Sequence, residues 1–173
     1  MRNIYLIGYR GAGKSTLAPQ LAQALDYNFV ELDQLLEHKS GLSIPEMFRI
    51  LGESYFRQQE SELLFQVSRQ PKQVVSTGGG IILNPVNCQV MRDTGLVIWL
   101  KCSAETLSQR LAHATFDRPP LTNKAPAEEV RYLLEKRWPI YERTAHFEVD
   151  TDTQNLEDTL KQLLRHVQEY FHV

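Results

Sequence analysis

The octapeptide Gly8-Tyr9-Arg10-Gly11-Ala12-Gly13-Lys14-Ser15 constrains this chain more than any other stretch. It fits the spacing GxxxxGK[ST], and its flanks complete the pattern. The apolar run 3–7 reads as a buried strand, and Leu17, Leu21 and Leu25 then recur at helical spacing with Ala18 and Ala22 beside them. Glycines let successive backbone N–H groups turn inward, and the N-terminus of the following helix adds a favourable field for an anion. Lys14 is spaced to reach the β- and γ-phosphates of a nucleotide, and the Ser15 hydroxyl to ligate Mg2+.

The rest of the chain continues the alternation. Apolar runs at 28–32, 73–76, 96–100 and 146–149 read as further strands, separated by segments of helical period. This pattern predicts a parallel sheet covered on both faces, and 173 residues suit one such domain. The last helix carries Leu156, Leu160, Leu163, Leu164, Val167 and Phe171 on one face and opens at Asn155, with Asp158 three residues on. Pro19 falls about a turn inside the first helix, where a slight distortion is expected.

Two stretches read as excursions from the sheet. Residues 42–70 form a long helical region, with Met47, Phe48, Leu51, Tyr55, Leu63 and Val67 near helical spacing. Residues 112–126 are polar and proline-containing, and Arg118 in their middle suggests a lid rather than a disordered loop.

Composition narrows the partners. A net charge of −2 lacks the basic excess of a nucleic-acid or membrane-surface protein. The first apolar run is too short for a signal-peptide core, and nothing approaches the ~18 apolar residues of a membrane span. Cys88 and Cys102, without CxxC spacing, read as buried reduced thiols. A cytoplasmic protein is expected.

Beyond the glycine-rich loop, four places carry chemistry. Glu31 and Asp33 close the second apolar run, at the carboxyl end where parallel sheets hold ligands. Either they serve a substrate hydroxyl or a metal-bound water, or they are acids favoured by the dipole of the next helix. Arg57 and Glu60 are i, i+3 neighbours, either an oriented fork for a carboxylate or an exposed ion pair. Thr77-Gly78-Gly79-Gly80 weakens a strand end, as close approach of backbone to a ligand would require. Arg137 leans toward the apolar face of its helix, seeking an anion or snorkelling near Pro139.

Taken together, GAGKS, the acid pair, FRxxE, TGGG, the lid arginine and ERxPxY-like residues resemble the shikimate kinase family over almost the whole chain. FRxxE and TGGG are the discriminating elements, because the phosphate loop is shared by many families. The resemblance implies a three-layer α/β P-loop kinase fold with a five-stranded parallel sheet in the order 2-3-1-4-5. It also implies a helical substrate-binding excursion at about 33–70 and a mobile lid at about 112–126. It implies an ATP-dependent phosphotransferase acting on the 3-hydroxyl of shikimate, with one Mg2+ ion, as a monomer.

Position by position, Gly11, Ala12, Gly13, Lys14, Ser15 and Thr16 would hold the ATP phosphates, with Ser15 on the metal and Gln154 near the adenine. Asp33, Arg57, Gly79 and Arg137 would hold shikimate, and Lys14, Asp33 and Arg118 would serve the transfer itself. The chain departs from the family where Glu31-Leu32-Asp33 replaces Asp-x-Asp and where Arg118-Pro119-Pro120-Leu121 replaces RPLL. The rivals are a related small-molecule kinase, such as a gluconate kinase, and a nucleotide-binding regulator without turnover.

Overall fold

The computed structural model describes residues 2–113 and 120–172. Strand and helix alternate: β1 (Asn3–Ile7), α1 (Lys14–Leu25), β2 (Asn28–Glu31), α2 (Leu32–Ser40), α3 (Ile44–Ser68) and β3 (Gln73–Ser76). There follow a 3-10 turn at Ile81–Leu83, α4 (Pro85–Thr94), β4 (Gly95–Lys101), α5 (Ala104–Ala112), α6 (Pro126–Thr144), β5 (Phe147–Asp150) and α7 (Leu156–Phe171). All pairings are parallel, in the order β2-β3-β1-β4-β5. This is the expected sheet.

The burial pattern explains the composition of the strands. Every residue of β1 and β3 is buried, and so is β4 apart from its last residue, so these strands read as continuous apolar runs. The flanking strands β2 and β5 keep exposed positions. Register sets the functional edge: Leu6 lies beside Ser76, Glu31 beside Ser76, and Ile7 beside Trp99. The loop after β1, the glycines after β3 and the acids after β2 therefore emerge together. On the other side of the sheet centre, the Trp99 ring stacks on Tyr141 at 5.6 Å and meets Trp138 edge-on at 4.7 Å, which seats α6 against β4.

Several sequence expectations change in detail. β2 stops at Glu31, and Leu32 already belongs to α2, so Asp33 sits in the first turn of a helix rather than on a strand. α1 continues through Pro19 to Leu25, burying Leu17, Ala18, Leu21 and Ala22. The excursion is two helices, and α3 opens on a capping box between Ser43 and Glu46. At Gly52 a φ of 83° breaks the helical phase of α3. Leu51 and Tyr55 flank this break and remain exposed, whereas Met47, Leu63 and Val67 are buried as expected and Phe48 packs at the core margin. In α7 Leu163 and Val167 are buried, Leu160, Leu164 and Phe171 pack at the margin, and Leu156 is exposed. Cys102 is buried but Cys88 only half so; both are free thiols. No helix among the described residues is long and apolar enough to cross a membrane.

The join of α4 to β4 gives a stability test. Gly95 is in extended backbone, but a Cβ there would lie 2.2 Å from the Asn3 carbonyl oxygen, inside the β1–β4 ladder. Gly95→Ala is expected to destabilise the fold by about 3 kcal/mol. Ser43→Ala, which removes only the α3 cap, should cost about 1 kcal/mol. Urea unfolding of both variants checks the ranking.

Candidate active site

The glycine-rich loop joins β1 to α1 with Gly8, Gly11 and Gly13 all at positive φ, Gly13 being the left-handed cap of α1. At Gly8 the reason is doubled, since a Cβ would also meet the Leu100 carbonyl oxygen at 2.7 Å. The Lys14 ammonium folds back over the loop, donating to the carbonyls of Gly8 at 2.7 Å and Tyr9 at 2.9 Å. The loop is thus braced by the cation whose spacing suits phosphate. Ser15 and Thr16 are exposed at the helix start.

An open cleft on one flank is lined by Gly11, Ala12, Gly13, Thr16, Gln154 and Leu156. Arg110, unremarked in the sequence, closes this cleft from α5, donating to Gly11 O at 3.1 Å and Thr151 O at 2.6 Å. Nothing in its local pattern marks it, because its partners lie 99 and 41 residues away. Asp152 fixes the start of α5 by accepting from the Ser103 N–H at 2.9 Å and the Cys102 thiol at 3.0 Å. Burial, reinforced by that carboxylate, pushes the Cys102 thiol up to about 12, so it is unreactive near neutral pH.

On the other flank, the glycine turn after β3 is crowded by side chains. A Cβ on Gly78 would lie 2.5 Å from Glu60 Oε1 and 3.1 Å from Asp33 Oδ1. On Gly80 it would lie 2.5 Å from the Arg57 guanidinium, and on Gly79 3.2 Å from the Arg10 backbone nitrogen. The sequence suggested that a ligand approaches this backbone; here the protein's own acids, guanidinium and phosphate loop do so. Arg57 is held by Glu60 Oε2 at 2.9 Å and Glu53 Oε1 at 3.3 Å. The ion pair is no surface ornament, because Glu60 is buried.

Arg137 is buried on α6, with one guanidinium nitrogen 3.4 Å from Gly79 O and its charge 5.5 Å from the centre of the Tyr9 ring. Its burial is at odds with the snorkelling alternative, and no carboxylate among the described residues pairs with it. Tyr141, a turn further along α6, donates its hydroxyl to the same Gly79 carbonyl at 2.5 Å. Arg10, Arg57 and Arg137 face one pocket whose apolar walls are Ile44, Phe48, Phe56 and Leu121. Phe48 and Phe56 pack with ring centres 4.8 Å apart. Of the expected set, Asp33, Arg57, Gly79 and Arg137 surround this pocket or its glycine turn, whereas Arg118 lies outside the described residues.

Glu31 stands between the two flanks. Burial pushes its carboxyl up, against the opposing pull of the Ser15 and Ser76 hydroxyls and Lys14. Its Oε2 is buried with no hydrogen-bond partner among the described residues. Together with the Ser15 hydroxyl and the Asp33 carboxylate, it makes a set of hard oxygen donors that suits Mg2+. No cluster of three or more His, Cys, Asp or Glu occurs among the described residues.

The fold and site define a P-loop phosphotransferase of the small-molecule kinase class, with an open cleft and an arginine-lined pocket on either side of one glycine-rich loop. The family model described as shikimate kinase matches residues 10–168. A shikimate kinase of Caldanaerobacter subterraneus subsp. tengcongensis is 37% identical over 165 residues, covering 95% of each chain. The solved shikimate kinase of Acinetobacter baumannii, in complex with shikimate, superposes with a TM-score of 0.92 at 32% identity, over 98% of this chain and 94% of that one. That of Bacteroides thetaiotaomicron gives 0.84 at 32% identity, over 99% of both. This chain belongs to the shikimate kinase family.

The state of Glu31 makes a pH prediction. An acid whose folded value is raised destabilises the fold above its ordinary value of 4.5, and that penalty disappears as pH falls below 4.5. Glu31→Gln is therefore expected to raise the melting temperature of the ligand-free protein near pH 7.5, with the gain vanishing toward pH 4. Calorimetric scans of both proteins across that range test it, and an equal gain at every pH would refute it.

Proposed function

We propose that this protein transfers the γ-phosphate of ATP to the 3-hydroxyl of shikimate, through the residues assembled around the glycine-rich loop. One observation carries the reading of the acceptor. Two guanidiniums, Arg57 and Arg137, face a single half-apolar pocket across from that loop, and Arg137 has no carboxylate of its own among the described residues. A small acid with a carboxylate on an apolar ring supplies what such a pocket lacks. Gluconate also carries a carboxylate, but the shikimate kinase match spans residues 10–168 and disfavours that rival.

The division of labour follows from position. Backbone N–H groups of Gly11, Ala12, Gly13, Ser15 and Thr16 receive the nucleotide phosphates, and Lys14 exchanges the carbonyls of Gly8 and Tyr9 for phosphate oxygens. Gln154 and Arg110 border the space for the base. Arg57, oriented by Glu60, and Arg137 bind the acceptor carboxylate, and Gly79 offers its backbone to a ring hydroxyl. Asp33, beside Gly78, accepts or orients the proton of the attacking hydroxyl. Ser15, with Glu31 and Asp33 near it, would hold Mg2+, whose charge offsets that of the phosphates. Positioning and charge neutralisation suffice, so no covalent enzyme intermediate is needed. The protein acts as a monomer, with residues 33–70 as the acceptor-binding excursion of a single domain.

Coupled ADP release with shikimate, quinate, gluconate and nucleoside monophosphates in parallel tests the acceptor, with shikimate expected to be preferred. Turnover of gluconate but not shikimate would overturn the reading. Lys14→Ala is expected to lower kcat by about two orders of magnitude or more in a folded protein. Arg57→Ala should weaken shikimate binding by roughly 2–5 kcal/mol while ATP affinity changes far less, and Arg57→Lys should recover only part of the loss. Calorimetric titration with each ligand separately reads both effects.

A further inference from the structure

The acceptor pocket holds one guanidinium more than a monocarboxylate needs. Arg57 is tied to Glu53 and Glu60, and Arg137 to the Gly79 carbonyl and the Tyr9 ring. Arg10 is the third, and it comes from a different element: the phosphate-binding loop itself, three residues before Gly13. Its one ion-pair contact among the described residues is long, 3.5 Å to Glu129 Oε2. Glu129 is a buried acid in the first turn of α6, and its other oxygen is engaged by the Thr122 N–H at 2.6 Å and the Thr122 hydroxyl at 2.9 Å. The carboxylate is therefore fixed, while the guanidinium, with a third of its side chain exposed, stands off it at more than charge-assisted hydrogen-bond length.

Phosphoryl transfer changes what this pocket must hold. The acceptor enters with one negative charge, and the phosphate monoester it becomes carries about 1.5–2 further charges at neutral pH. Arg57 and Arg137 match the carboxylate, so the added charge calls for a cation approaching from the donor side. Arg10 is the pocket arginine that comes from that side.

We propose that Arg10 is a product-recognition residue of the acceptor pocket, tethered by Glu129 until it pairs with the phosphoryl group on the phosphorylated acceptor. This rests on the kinase reading above. Arg10 then discriminates between the two anionic forms of the acceptor, binding the phosphorylated form and leaving the affinity for the unphosphorylated one to Arg57 and Arg137.

The test is calorimetric titration of wild type, Arg10→Gln and Arg10→Lys with shikimate, shikimate 3-phosphate and ATP, each alone. Arg10→Gln is expected to weaken shikimate 3-phosphate by about tenfold or more, and shikimate and ATP by less than about threefold. Product inhibition in the steady state should weaken in parallel, and Arg10→Lys should fall between the other two proteins. Unchanged ATP affinity reports that each variant is folded. Equal losses for shikimate and its phosphate, or no loss for either, would overturn the role of Arg10 while leaving the kinase reading intact. Failure of the wild-type protein to bind shikimate would instead overturn the kinase reading, and this inference with it.

Discussion

Close packing around three consecutive glycines is the constraint on which the site depends. Gly78, Gly79 and Gly80 form a turn where α2, α3, α6 and the phosphate loop all meet, through Asp33, Glu60, Arg57, Tyr141 and the Arg10 backbone. The space a single Cβ would fill at Gly78 or Gly80 already belongs to a carboxylate or a guanidinium. A side chain there would lift α3 or Arg57 away from the turn, and with it the wall that faces the phosphate loop. The glycines thus set the distance between the phosphate loop and the arginine-lined pocket.

The charges of the site find partners within the protein itself. Lys14 rests on the carbonyls of Gly8 and Tyr9, Arg57 on Glu53 and Glu60, Arg10 near Glu129, and Arg110 on Gly11 and Thr151. Such partners hold the cations in place, so less ordering remains to be done when ligands bind. Arg137 differs, as a buried cation beside a carbonyl edge, the Tyr141 hydroxyl and an aromatic face, with no carboxylate partner among the described residues. Burial without a carboxylate is costly, and that cost is tolerated where an anionic ligand relieves it.

The alternation of runs was legible because parallel strands buried on both faces leave an unbroken apolar signal, which Asn3–Ile7 and Gly95–Lys101 show clearly. The phosphate loop was legible because its conformation demands glycine at fixed spacings. FRQQE was legible because i, i+3 contact is local to one helix. Boundaries were less so: Asp33 reads equally as the end of a strand or the first turn of a helix, and tertiary context chose the helix. The exposure of Tyr55 was hidden because Gly52, at positive φ, breaks the helical phase between Met47 and Tyr55.

What the sequence by itself determined, then, is whatever rests on local geometry: the alternating α/β pattern, the anion cradle at residues 8–15, the arginine–glutamate pair and the presence of a glycine turn. The tertiary structure alone decided what crosses the chain. It brought Arg110 to Gly11, Tyr141 to Gly79, Glu129 to Arg10, and Glu60 of α3 with Asp33 of α2 onto Gly78. None of these has a sequence period, because each pairs residues from elements that meet only when the parallel sheet sets β3, β1 and β4 side by side. Spacing along the chain records what neighbours a residue has within its own helix or loop, whereas the close packing of one element on another settles which distant side chains share its surroundings.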